Sequence, residues 1–236
     1  MTPVFYTAGN TPALNFGIRL LKDAGISFSS LPCPQVTHLL LPVPSLESDG
    51  SIKGGGDLAL LMSQLPCDIT VIGGNLPALA CPVIDLMQDP EYVARNAAIT
   101  AHCALIPAMT RLECTLEGCP VLVVGWGRIG KCLARLLRGL DAQVTVAARK
   151  PADRAMLEAL GYRATDMVNI KVSDYRIIYN TVPQMLLPQG ADCLCIDLAS
   201  KPGIGGDNVL WARGLPGKDA PESSGRLIAE TVLRLL

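Results

Sequence analysis

Short apolar runs alternate with helix-patterned stretches through the first third of the chain. Residues 3–9 (PVFYTAG) read as a strand, and 11–25 (TPALNFGIRLLKDAG) as a helix capped by Thr11 with Pro12 in its first turn. HLLLPVP (38–44), DITVIGG (68–74) and CPVIDL (81–86) predict further buried strands, and LALLMSQL (58–65) a short helix. Strands alternating with helices imply a parallel sheet covered on both faces. Ser45 to Gly56 is polar and holds Gly54, Gly55 and Gly56, so a mobile loop is expected there.

From Asp89 to Glu117 the period turns helical. Pro107 is expected to kink or divide this helix, and Gly118 to end it. The stretch 91–118 therefore predicts a connector between two domains. A second α/β unit starts at Pro120: strand 120–125, helix 128–140, strand 142–149 and helix 152–161. DYRIIYN (174–180) and CLCIDLA (193–199) read as its fourth and fifth strands, and NVLWARG (208–214) as a sixth. A helix over 223–236, apolar along one face at 3.6 spacing, closes the chain.

Composition narrows the class. With 236 residues, there is room for one large domain or two compact ones. Apolar residues are 50%, charged residues 17% and mean hydropathy is +0.35, which excludes a disordered chain. No unbroken apolar run approaches the ~20 residues of a membrane span. The first thirty residues lack a basic start followed by an apolar stretch, so no leader is expected and the cytoplasm is the expected compartment. The nine cysteines (Cys33, Cys67, Cys81, Cys103, Cys114, Cys119, Cys132, Cys193, Cys195) contain no CxxC pair. Disulfide and zinc readings both fail on that spacing, and most of these thiols are expected to serve as small buried hydrophobes. With only His38 and His102 as histidines, no metal site is expected.

Charge is uneven. Residues 1–118 carry five Lys/Arg against ten Asp/Glu, a net −5; residues 119–236 carry fifteen against eleven, a net +4. The second half is the one expected to meet an anion. Four surplus charges are too few and too dispersed for nucleic acid.

VLVVGWGRIGKCLA sets Gly125, Gly127 and Gly130 as a GxGxxG between a buried strand and a helix, the context that makes this motif a dinucleotide fingerprint. Gly125 permits the tight turn, Gly127 lets the backbone approach a pyrophosphate, and Gly130 allows close helix–strand packing. Trp126, Arg128 and Ile129 complete the loop, with Arg128 a further phosphate contact. NAD binders usually carry an acid about 20 residues on. Here Arg149 and Lys150 occupy that region, and no acid follows until Asp153. A cationic pair suits a 2′-phosphate, so NADP is favoured over NAD, which stays possible.

RNAAITAHCA, VVGWGRIGKCLARLL, VTVAARK, NTVP, IDLASKPG and GLPGKDAPESSGRLIAETV together resemble the A subunits of dipicolinate synthases, firmly over ~89–236 and more loosely before that. The resemblance implies a flavodoxin-like N-terminal domain (1–90), the connector (91–118), a Rossmann domain (119–217) and a C-terminal helix (218–236) returning to the first domain. It implies the arrangement of 2-hydroxyacid dehydrogenases, with substrate in the cleft between residues ~1–118 and the Rossmann domain. It further implies NADP-dependent oxidation of dihydrodipicolinate to dipicolinate (pyridine-2,6-dicarboxylate) in endospore formation, and a flavoprotein-like partner, the B subunit. A homo-oligomer is expected. Two departures stand out: only IGGDN separates Gly203 from Val209, where the family carries a helix, and His102 replaces the Glu of a Thr-Ala-Glu-Gly connector motif.

The remaining candidates follow from the chemistry of a small dicarboxylate that loses a hydride and a proton. Asn180, Thr181 and Pro183 (NTVP) lie at the carboxyl edge of the sheet and are assigned to the cofactor, as is Asp197. Ser200 and Lys201 follow the fifth strand at that edge, where Lys201 can hold a carboxylate; Lys218 is the candidate for the second one. His102 supplies a base of near-neutral pKa. Its spacing puts it off the face shared by Asn96, Thr100 and Cys103, which weights it toward a structural role, and Asn96 and Thr100 are assigned to the substrate. Arg95 is a weaker cationic candidate. The competing class is a non-catalytic NADP-binding protein that senses redox state or scaffolds its partner. An ordinary 2-hydroxyacid dehydrogenase is disfavoured, because its Arg/Glu/His set has no counterpart after the fifth and sixth strands.

Overall fold

The computed structural model describes residues 3–236. They form two compact units: residues up to Asn96 together with Pro216–Leu236, and Ala97–Leu215. In the first unit the strands are β1 (Val4–Thr7), β2 (Ser27–Phe28), β3 (His38–Leu40), β4 (Thr70–Gly73) and β5 (Val83–Asp85), in spatial order β2-β1-β3-β4-β5 and all parallel. That is the flavodoxin order. The helices between its strands are α1 (Pro12–Asp23) and α2 (Leu58–Met62). Thr11 caps α1 by accepting from the Leu14 amide at 3.3 Å, with Pro12 just inside. Leu39, Leu41, Ile69 and Val71 lead one of its apolar clusters.

The expected mobile loop at 45–56 is instead folded into this unit. Ser45 is fully buried; its hydroxyl donates to the Pro42 carbonyl (2.8 Å) and accepts from the Gly74 amide (2.9 Å). Ile52 enters the core, and Leu46 pairs with it in an antiparallel bridge. Gly54, at φ +85, lies directly against the Asn10 backbone, so the glycine serves both a left-handed turn and a close approach.

The predicted long helix is shorter and broken. α3 spans Pro90–Cys103 and α4 spans Leu105–Met109; beyond Thr110 the chain up to Gly118 is not helical. Pro107 has no N–H to offer the Cys103 carbonyl, so the break falls one turn ahead of it and the proline sits in the first turn of α4, where it is tolerated.

The second unit adds β6 (Pro120–Val124), α5 (Arg128–Gly139), β7 (Gln143–Ala147), α6 (Pro151–Ala159), β8 (Arg163–Thr165), β9 (Ile177–Asn180), β10 (Leu194–Asp197) and β11 (Val209–Trp211). The sheet order is β11-β10-β9-β6-β7-β8, every pair parallel. Counted within the unit this is the doubly wound 3-2-1-4-5-6 order, whose reversal falls between β6 and β9. No helix lies between β10 and β11; the short segment bridges back instead, Gly205 donating to the Leu187 carbonyl at 2.9 Å. Of the cysteines, only Cys103, Cys119 and Cys195 are buried, and Cys67 and Cys114 are exposed, so the small-hydrophobe role covers fewer of them than expected.

α7 (Leu215–Asp219) and α8 (Pro221–Leu235) end the chain, and α8 packs along α1. At that crossing a Cβ on Gly225 would strike the Ala13 carbonyl, Phe16 Cβ and the Gly17 amide nitrogen. Gly225→Ala must push two helix backbones apart. It is expected to cost about 1–3 kcal/mol, read as a lowered midpoint in urea denaturation.

Candidate functional site

The carboxyl edge of the second sheet, at the β6/β9 reversal, gathers most of the candidate residues. Gly125 leaves β6 at φ +106, and a Cβ there would collide with Thr181 Oγ1 and Val182 Cγ2. Gly130 lies against the Gly125 carbonyl, so α5 approaches the turn as closely as backbone permits. A Cβ on Gly127 would meet nothing within 4 Å. The three glycines thus divide into two that pack and one that keeps space clear.

That clear space opens onto an uncompensated helix start. Gly127 is the N-cap residue of α5, no side chain caps it, and the first turn holds no acid. Arg128 and Lys131 stand there instead. Cations at a helix N-terminus oppose its dipole, whereas a bound anion satisfies both the amides and the charges. Trp126 is half-buried; its ring meets Tyr162 edge-on at 5.8 Å, and Lys131 Nζ lies 5.7 Å from its centroid. The ring is thereby held on the protein, leaving its backbone to the loop. Ile129 is half-buried, and Arg149, Lys150 and Pro183 are exposed.

Three side chains assigned to the cofactor are committed internally. Asp197 is fully buried: Oδ1 accepts from Asn180 Nδ2 (2.9 Å) and the Ala199 amide (3.0 Å), and Oδ2 from the amides of Gly203 (2.6 Å) and Ile204 (3.2 Å). Asn180, 1% exposed, also brackets residue 182, donating to its carbonyl and accepting from its amide. Thr181 Oγ1 donates to the Val124 carbonyl at 2.9 Å. These residues tie the loops after β9 and β10 to each other and to β6. Their hydrogen bonds place those loops.

The loop so anchored carries Ser200 and Lys201, both exposed. Its backbone is braced by Trp211 Nε1 donating to the Ala199 carbonyl (3.0 Å) and Arg213 Nη1 to the Ser200 carbonyl (2.8 Å). Two supports escaped the sequence reading. Gly203 lies against Asn180 Nδ2 and the Gln184 and Val182 carbonyls, and Arg154 reaches back to the end of β7.

The other candidates lie elsewhere. His102 is exposed in the last turn of α3, Thr100 is buried, Asn96 is half-buried, and Lys218 is exposed in α7. Arg95 is engaged by Glu230 and lies 3.8 Å from Glu91, which makes it a strut of the first unit rather than a free anchor. His38 opens β3, stacked on Phe5 at 4.8 Å with Nδ1 2.8 Å from Thr37 Oγ1; burial holds its pKa below the ordinary histidine value. Among the described residues no group of three or more His, Cys, Asp or Glu could hold a metal, and no helix is long and apolar enough to cross a membrane.

Fold and glycine loop together define a class: an α/β protein with a flavodoxin-like unit and a Rossmann unit of the kind found in 2-hydroxyacid dehydrogenases. Residues 91–186 match the family model of the D-isomer specific 2-hydroxyacid dehydrogenase NAD-binding domain, which supports a nicotinamide dinucleotide cofactor and oxidoreductase chemistry. Within that class the chain resembles the A subunit of dipicolinate synthase. It is 28% identical to that protein from Bacillus subtilis (strain 168) over 240 residues, covering 89% of this chain and 81% of the relative. The crystal structure of the dipicolinate synthase A subunit from Bacillus halodurans shares the fold at a TM-score of 0.85 and 22% identity, covering 100% and 98% of the two chains. Salmonella D-lactate dehydrogenase shares it at 0.63 and 15%, covering 99% and 95%.

Proposed function

We propose that this chain is the A subunit of a dipicolinate synthase, oxidising dihydrodipicolinate to dipicolinate with NADP during endospore formation in the cytoplasm. In this proposal it is a homo-oligomer that works with a flavoprotein-like B subunit. The observation that carries the cofactor half is the open space over Gly127 at an uncapped, cationic helix start. The substrate half rests on the resemblance to the A subunit of dipicolinate synthase, which extends over most of both chains. We read residues 1–90 as the N-terminal domain, 91–118 as the connector, 119–217 as the cofactor domain and 218–236 as the returning helix.

In this reading the glycine loop, Arg128, Arg149 and Lys150 hold the phosphates, and Asn180, Thr181, Pro183 and Asp197 shape the floor beside them. When bound, NADP supplies the hydride acceptor. Lys201 holds a substrate carboxylate with Ser200 beside it, on the loop after β10. His102 takes the proton as the general base.

The test is turnover of dihydrodipicolinate with NADP, in the presence and absence of the flavoprotein-like partner. Lys201→Met keeps the stem and removes the charge. Where the contact is equal in ground and transition states, KM should rise on the order of tenfold or more with kcat little changed. Wild-type kinetics in that variant would remove Lys201 from the site. A wild-type chain that binds NADP yet never turns over, even with its partner present, would favour the sensor or scaffold reading.

A further inference from the structure

The turn after β7 is braced by a side chain that no dinucleotide fingerprint specifies. Arg154, in the N-terminal half of α6, reaches back so that its Nη1 donates to the carbonyls of Ala148 (2.9 Å) and Arg149 (3.0 Å). Its backbone amide donates to the Lys150 carbonyl at 3.2 Å. The side chain thus fixes two consecutive carbonyls, and the third bond is the first-turn helix bond that any non-proline residue at 154 would make. Because each carbonyl sets the orientation of its peptide plane, the backbone torsions of Arg149 and Lys150 are determined, and with them the directions in which both side chains leave the turn.

Helix α6 has an unusual start for such a clamp. Lys150 is its N-cap residue, with no oxygen to offer the first amides, and no side chain caps the helix. Arg149, Lys150 and Arg154 gather three cations within six residues, and only Asp153 opposes them in the first turn. Asp166, just after β8, accepts from the Asn169 amide and side chain and from the Val168 amide. A turn chosen for helix stability alone would carry an Asp or Ser at 150. This one gives up the cap and accepts charge repulsion, while a guanidinium supplies the rigidity.

We propose that Arg154 is the positioning residue of the 2′-phosphate subsite, acting through Arg149 and Lys150 by locking the turn that carries them. This rests on the NADP reading above. Both bonds leave Nη1, whose two hydrogens lie in the fixed guanidinium plane, so one nitrogen holds the two carbonyls in a set geometry.

Calorimetric titration of NADP, NAD, 2′,5′-ADP and ADP against wild type, Arg154→Gln and Arg154→Lys tests it. Circular dichroism of each variant checks that the helix persists. Wild type should prefer the 2′-phosphorylated member of each pair. Arg154→Gln should weaken NADP and 2′,5′-ADP about tenfold, the scale of one or two lost hydrogen bonds to a charged group, and leave NAD and ADP within about twofold. Arg154→Lys should recover part of the loss. Equal weakening of NADP and NAD would reduce Arg154 to a general structural role and overturn the inference, as would no change for either. Equal wild-type affinity for NADP and NAD is a distinct result: it would overturn the cofactor reading itself, and this inference with it.

Discussion

Gly127→Val is expected to abolish dinucleotide binding while leaving the protein folded. At this position φ is −82° and ψ −170°, extended backbone that valine adopts readily, and no neighbour lies within reach of the new Cβ. The strand, the helix and the Gly125–Gly130 contact therefore keep their geometry. What changes is the space above the loop, where a pyrophosphate must come within hydrogen-bonding distance of the amides at the start of α5. A branched side chain occupies that volume, so affinity should fall more than about a hundredfold, near 2.7 kcal/mol or beyond. Calorimetric titration reads the loss, and a thermal midpoint within a few degrees of wild type shows that the fold survives. Binding at wild-type strength would mean that the glycine loop is only a packing turn. Gly130→Val is the contrasting variant: its side chain drives into the Gly125 carbonyl, and it should lose stability as well as binding.

The contrast between those two glycines explains why the loop was legible in the sequence. Each glycine's role is a backbone property, fixed by its spacing from a buried strand, and spacing is what a sequence displays. The central strands were legible for a similar reason, because β6, β9 and β10 are apolar on both faces and stand out as continuous runs. The edge strands β2 and β8 escaped notice. They are two and three residues long, and Arg-Ala-Thr has no apolar run to mark it. The loop at 45–56 misled because composition counts polar atoms without showing where they bond; the Ser45 hydroxyl finds both its partners inside. The inward bonding of Asn180 and Asp197 was illegible for a related reason. Both end strands at the ligand edge, but the register pairs them with each other, and their hydrogen bonds turn inward to the loops. Arg154 carried no pattern at all, since a side chain reaching back five and six residues to two carbonyls leaves no periodic trace.

The inward commitment of Asp197 makes it the residue whose loss should cost the most stability. Four donors converge on a carboxylate with no exposed surface, and three of them are amides of the loop that carries Ser200 and Lys201. Removing the carboxylate strands those donors where water cannot readily replace it, and the desolvation already suffered by each is no longer offset. Asp197→Ala is therefore expected to lower the unfolding free energy by about 3–5 kcal/mol, since four buried donors are stranded at about 1–3 kcal/mol each and partial relaxation recovers part of that. Asp197→Asn should also be destabilising, because its amide nitrogen brings a donor toward donors: either Asn180 Nδ2 with the Ala199 amide, or the Gly203 and Ile204 amides, lose their acceptor. Denaturant unfolding with the slope unchanged is the measurement. On the proposed role of Lys201, which rides on the released loop, the alanine variant should also bind dipicolinate more weakly than wild type under conditions where both are folded. A stability loss under about 1 kcal/mol, below the cost of stranding even one buried donor, would mean that solvent reaches those amides. The loop after β10 would then be held chiefly by Trp211 and Arg213.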